Sequence, residues 1–161
     1  MQTSKPINLE FSRKYNREHA QQYLRKHQDG MARRLSHWRD NQLARRALKQ
    51  AGDPKVVLDL PCGAGRFWPL LAERSDRVIM AADNSSDMIS IALAGQSADV
   101  VACVEAFQTS AFSIDLEDSA VDSIFCMRLL HHIEDSNHRV AMLRDFSLAT
   151  APHFLDFKPH H

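Results

Sequence analysis

A doubly wound α/β fold with a mostly parallel sheet is predicted by three observations. Short apolar runs alternate with helix-forming stretches from residue 55 onward. The first run, KVVLDL (55–60), is apolar but for Lys55 and Asp59, as a strand covered on both faces requires. A Gly-containing turn (61–65) then hands that strand directly to a helix. Strand–helix–strand connections of this kind are right-handed, which winds helices onto both faces of the sheet.

Taken in order, residues 1–10 carry no periodicity and read as a flexible lead-in, while 11–50, rich in Arg, Lys, Gln, Ala and Leu, read as one or two helices. Gly30 is the candidate break between them. Gly52-Asp53-Pro54 ends the second, because Gly serves a helix C-terminus and Pro cannot continue one. KVVLDL is the first strand and is followed by a helix near 65–74. DRVIMAAD (76–83) repeats the strand signal, and Ser85 or Ser86 caps a helix over 87–95 that Gly95 stops. ADVVACVEA (98–106) reads as the third strand and VDSIFCM (121–127) as the fourth, with a helix near 136–149 after it. HFLDF (153–157) reads as a short fifth strand.

At 161 residues and 44% apolar, the chain suits one compact domain, divided into a basic helical segment (1–50) and a ligand-binding unit (51–161). Residues 1–50 hold 12 of the 20 Lys and Arg but only Glu10, Glu18, Asp29 and Asp40 among the acids, about +8 there against about −8 in the remainder. Such a split suits either an anionic partner or a solvated helix face. Cys62, Cys103 and Cys126 are odd in number and without CxxC spacing, so a reduced, cytoplasmic setting is expected. No apolar run approaches the roughly 18 residues that span a bilayer, and no leader pattern opens the chain.

The strongest constellation is LDLPCGAGRF (58–67): a buried strand ending in Asp59, then Gly63-Ala64-Gly65 at a helix start. Glycines let backbone approach a ligand closely, and a helix start presents unpaired N–H groups. Asp83, 20 residues beyond Gly63 at the end of the second strand, is where a carboxylate accepts from the ribose hydroxyls of an adenosine-containing ligand. A dinucleotide site wants a third glycine where this chain has Trp68, which argues against NAD. Asp59 instead suits a positively charged ligand such as S-adenosylmethionine.

At these residues the chain resembles a known family. VVLDLPCGAGRF is similar to the first motif of class I S-adenosylmethionine-dependent methyltransferases, and MAADNSSDMI (80–89) to their second. SIDLEDSAVDSIFCMRLLHHI (113–133) is similar to the stretch that follows in the type-11, ubiquinone-biosynthesis-like branch, and the resemblance spans roughly residues 55–146. It implies a Rossmann-like fold and S-adenosyl-L-methionine as cofactor, with a small-molecule acceptor. It also implies that Asp59, Gly63 and Gly65 surround the methionine portion and Asp83 holds the ribose. Met88, Ser110 and Ala111 then flank the adenine, and Pro61, Cys62, Asn84, Met127 and Arg128 complete the cofactor-binding set. Many relatives carry Asp where this chain has Ser110. The resembled fold has seven strands, so a chain with four or five reads as a sheet incomplete at its C-terminal edge. Truncation, completion by a homodimer or partner chain, and a cofactor-binding domain without catalysis are the competing explanations.

Arg128, His131 and His132 follow the fourth strand at its C-terminal end, where open α/β sheets place ligands. His131 is the candidate catalytic residue, able to take a proton from the acceptor near neutral pH. A base is optional, since methyl transfer is an in-line displacement that orientation alone promotes. Glu134, Asp135 and His138 beside the two histidines suggest a metal cluster on residue type, but all crowd one helix start where Asp135 or Ser136 has an ordinary use as N-cap, and no metal is expected. Tyr15, Tyr23 and Trp38 among the N-terminal basic residues allow RNA binding, against the alternative, implied by the resemblance, that residues 1–50 form a lid over the cofactor.

Overall fold

The computed structural model of the chain describes residues 30–150. The sequence-predicted lead-in (1–10), the helical stretch 11–29 and the strand at 153–157 lie outside the described residues. Helix α1 spans Met31–Gln50, with Gly30 as its N-cap residue. It ends where Asp53 donates its backbone N–H back to Leu48 O at 2.9 Å, a 6→1 closure that satisfies a carbonyl of the last turn.

The sheet is built from β1 (Val56–Asp59), β2 (Val78–Asp83), β3 (Val104–Gln108) and β4 (Ser123–Phe125). All pairs are parallel, in the order β3-β2-β1-β4, with Asp59 opposite both Ala81 and Phe125. Between them lie α2 (Trp68–Leu71), α3 (Ser86–Gly95) and α4 (Ala98–Val101), and after β4 come a 3-10 turn (Leu130–His132) and α5 (Ser136–Ala149). Ser85 caps α3 by accepting from Met88 N, and Asp135 caps α5 by accepting from Asn137 N, as the sequence predicts.

The alternation of a strand decides which face each residue covers. Val57, Ile79 and Phe125 pack on one face with Ala44 and Leu48 of α1 and with Phe67, Leu70 and Leu71. Leu58, Leu60 and Ala82 pack on the other with Leu129, Ile133 and Met142 of the α5 side. Asp122 ties the start of β1 to the start of β4, its Oδ2 accepting from Lys55 N at 3.0 Å and Val56 N at 2.9 Å. Strand order reverses direction about β1, so the crevice outside the C-terminal ends of β1 and β4 is the switch point where such folds bind ligands.

Three expectations are corrected. Residues 98–106 are not one strand: Ala98–Val101 is a helical turn, and β3 begins only at Val104. The helix near 65–74 contracts to Trp68–Leu71, flanked by turns. The fourth strand is three residues long rather than seven.

Candidate functional site

The loop after β1 is held against β2 by backbone bonds. Cys62 N donates to Ala82 O at 2.8 Å and Gly65 N to Cys62 O at 3.0 Å, which closes the turn containing Gly63 and Gly65. Both glycines have positive φ, 53° and 72°. A Cβ on Gly65 would lie 2.8 Å from the Trp68 ring, so the buried indole sits where side-chain volume at residue 65 would fall. Trp68 thus fills the underside of the loop, at the position where a dinucleotide fold has its third glycine.

Asp83 ends β2 and faces this loop. Its Oδ2 accepts from Gly63 N at 3.0 Å and its Oδ1 from Ser85 N at 2.9 Å. Burial raises its pKa above the ordinary carboxylate value, and the backbone donors oppose that rise. The Asn84 N–H is a third backbone donor that favours the charged form, and the two oxygens still have acceptor capacity left for a ligand.

Asp59 is 1% exposed at the end of β1. Burial raises its pKa well above the usual range, and the charge on Asp83 raises it further. The Trp68 indole N–H offsets part of that cost from nearby without closing to hydrogen-bond geometry. Asp59 Oδ2 and Trp68 Nε1 are accordingly both buried without a hydrogen-bond partner. A buried carboxylate oxygen left open at a strand end, next to a glycine loop, is the feature a cationic, hydrogen-bonding ligand fits.

The remaining sequence-predicted residues fall around this frame unevenly. Pro61 lies in the turn with Cys62, whose thiol is buried and pushed up by burial, then by Asp59 and Asp83, as befits a packing residue rather than a nucleophile. Cys126, after β4, is pushed up to about 11 by burial and by Asp59. Asn84 O accepts from Gln108 Nε2, which joins the ends of β2 and β3. Met88 is buried, its Cε 3.5 Å from where a Gly63 Cβ would be. Ser110 spends its Oγ on Phe112 N at 3.2 Å, and Ala111 is buried. Met127 packs against the α1-side core. His131 is exposed and packs against His132 at a tilt of 41°, ring centroids 3.9 Å apart. Among the described residues no group of three or more His, Cys, Asp or Glu is arranged to hold a metal ion.

Sequence reasoning missed Asp40. Its Oδ2 accepts from Arg66 Nη2 at 2.8 Å and from Arg128 Nη2 at 2.6 Å, which binds α1 to the loops after both β1 and β4. One signal was available: Asp40 is the sole acid within Met31–Gln50, amid six Lys and Arg.

Residues 57–153, more than half of the chain, match the family model described as a methyltransferase domain, and the chain belongs to that family. Its membership implies S-adenosylmethionine as the cofactor, which the open Asp59 and the Asp83–glycine frame fit. Among solved structures, a methyltransferase from Methanococcus maripaludis assigned as S-adenosylmethionine-dependent is 20% identical over 92% of this chain and 63% of its own, with a TM-score of 0.70. A SAM-dependent methyltransferase from Aquifex aeolicus is 24% identical over 67% of this chain and 58% of its own, with a TM-score of 0.57. At these identities the likeness is one of fold, and the chain spans about three fifths of the length of these two structures. No curated protein matches.

Proposed function

We propose that the chain binds S-adenosylmethionine across the C-terminal ends of β1 and β2 and methylates a small molecule at the crevice between β1 and β4. The observation that carries this reading is the pair of carboxylates, buried Asp59 and half-buried Asp83, at the ends of β1 and β2 beside the Gly63–Gly65 loop. Asp83, with acceptor capacity left beyond its backbone donors, suits the adjacent hydroxyls of a ribose. Asn84 and Met88 continue that wall, and Ser110 and Ala111 line the adenine side. Asp59, Pro61, Cys62, Gly63 and Gly65 face the methionine portion, which Met127 and Arg128 close.

When bound, S-adenosylmethionine supplies an electrophilic methyl group on a sulfonium. The chain's own contribution is to hold that ligand and orient an acceptor in line with it, which can account for much of the rate of a displacement. Asp59 favours a positive charge nearby, and that charge in turn favours its ionised form. His131 takes the acceptor's proton where the acceptor is a hydroxyl or carbon acid. The basic segment 1–50, of which α1 is the described part, acts as a lid.

Calorimetric titration of the purified 161-residue chain tests the reading. S-adenosylmethionine and S-adenosylhomocysteine are expected to bind and NAD not to, with Asp83→Ala abolishing binding. A folded chain that binds NAD, or neither adenosyl ligand, overturns the cofactor assignment. Formation of S-adenosylhomocysteine with an acceptor distinguishes an enzyme from a silent binding domain, and undiminished turnover in His131→Ala removes that residue from the mechanism.

A further inference from the structure

Asp40 sits at the middle of α1 with its side chain 17% exposed. One of its oxygens takes two guanidinium groups, those of Arg66 and Arg128. Arg66 also donates from Nε to His37 Nδ1 at 3.0 Å. Burial, then the Arg66 charge, holds the His37 pKa below its ordinary value, so the ring is a neutral acceptor near pH 7. A neutral ring accepting at Nδ1 carries its proton on Nε2, which faces the Asn41 amide at 3.4 Å. The amide orientation that turns Asn41 Oδ1 to Nε2 also gives a partner to that otherwise unpaired buried oxygen.

The charges of this cluster do not cancel, for two arginines meet one carboxylate and a neutral ring. The excess falls on Arg128, whose side chain is 47% exposed and among the described residues hydrogen-bonds to Asp40 alone. A guanidinium carries five N–H groups, so Arg128 keeps most of its donors for a ligand. Its backbone is in the left-handed region at φ 61°, a conformation that costs a non-glycine residue about 1–2 kcal/mol. Asp40 is the hydrogen-bond partner that directs this side chain. Arg66 leaves the loop of β1 and Arg128 the end of β4, so the pair flanks the switch-point crevice.

We propose that Asp40 is a positioning residue: through Arg66 and Arg128 it fixes a guanidinium at the crevice to pair with the carboxylate of an amino-acid-bearing ligand. A planar carboxylate matches the fork of an arginine, and Asp40 sets the direction of that fork. The proposal rests on the cofactor reading above, with S-adenosylhomocysteine as the ligand that carries such a carboxylate and 5′-methylthioadenosine as the one that shares its nucleoside but lacks it.

Calorimetric affinities of both ligands for the full chain, for Asp40→Asn, Asp40→Glu and Arg128→Gln, test the idea. Asp40→Asn and Arg128→Gln are expected to weaken S-adenosylhomocysteine about tenfold or more and to leave 5′-methylthioadenosine within about twofold. Asp40→Glu should recover part of the loss. An equal fall for both ligands, as general loosening of the fold produces, overturns the proposal, and so does no fall for either. If the unaltered chain binds neither ligand, the cofactor reading itself fails and the role of Asp40 falls with it.

Discussion

The backbone N–H of Gly63 donates to Asp83 Oδ2 at 3.0 Å, so the carboxylate that ends β2 is bonded to the loop that leaves β1. With Ser85 N on its other oxygen, one side chain secures the turn of the glycine loop and the start of α3. Asp83→Asn preserves shape but replaces an acceptor by a donor, setting N–H against N–H at one of the two contacts. A loss of about 1–3 kcal/mol in urea unfolding is expected, together with weakened S-adenosylhomocysteine binding. Unchanged affinity would remove Asp83 from the ribose site.

On the proposed reading, Asp59 couples cofactor binding to protons. Burial raises its pKa in the folded chain above the unfolded value, so the folded state holds this proton more tightly. Its stabilising effect is therefore greatest below the unfolded pKa and is lost as pH rises through the raised one. Asp59→Asn should increase stability at neutral pH by about 1–2 kcal/mol and flatten the decline with pH. Below the raised pKa, where Asp59 still holds its proton, a sulfonium ligand that draws it into its ionised form releases that proton. Binding heats for S-adenosylmethionine should then differ between phosphate and Tris buffers more than those for S-adenosylhomocysteine, and in Asp59→Asn the difference should vanish. Equal buffer dependence of the two ligands in the unaltered chain contradicts this role.

Gly65 and Gly63 both lie at positive φ but face different surroundings. A Cβ at residue 65 meets buried Trp68 atoms at 2.8 and 3.0 Å, whereas at residue 63 its nearest neighbour is the flexible end of Met88 at 3.5 Å. Gly65→Ala is expected to cost about 2–4 kcal/mol from strain plus a ring that cannot move aside. Gly63→Ala should cost about 1 kcal/mol, its main effect being loss of cofactor affinity in the cradle. Unfolding midpoints and calorimetry on the two variants separate these effects, and an equal loss of stability in both would contradict the packing of Trp68.

The parts of this fold legible in the sequence are those set by local chemistry. Ser85 and Asp135 announce α3 and α5, because capping needs a short polar side chain just before a helical run. The placement of Asp59, Gly63 and Asp83 at the ends of β1 and β2 and in the turn between β1 and α2 was legible too, because strand ends and a glycine turn mark it within 25 residues. Residues 98–106 misled because an apolar run of that length suits a buried strand or a helical turn alike. Ser97 before Ala98–Val101, with Asp99 in the first turn, was the overlooked sign of a helix start. Asp40 with Arg66 and Arg128 was hidden for another reason: the partners stand 26 and 88 residues away, a distance only the folded sheet closes.

Basic residues of similar appearance in sequence carry different weight. Arg77 is buried at the N-terminal edge of the sheet, donating from Nε to Pro54 O at 2.9 Å and from Nη1 to Leu71 O at 3.2 Å. Burial holds its pKa below the usual arginine value, a cost those carbonyls and the Asp53 carboxylate at 3.8 Å counter. Arg45 instead meets Glu73 on the surface, where water screens the pair. Arg77→Met leaves two carbonyls without their donors and is expected to destabilise the chain by about 2–4 kcal/mol, while Arg45→Met should leave the urea midpoint nearly unchanged. Both lie at the opposite edge of the sheet from the glycine loop, so neither substitution should alter S-adenosylhomocysteine affinity in the fraction that remains folded. A midpoint for Arg77→Met equal to that of Arg45→Met would mean that water replaces the guanidinium at those carbonyls, and that the edge beneath β1 and β2 is wetter than its packing shows.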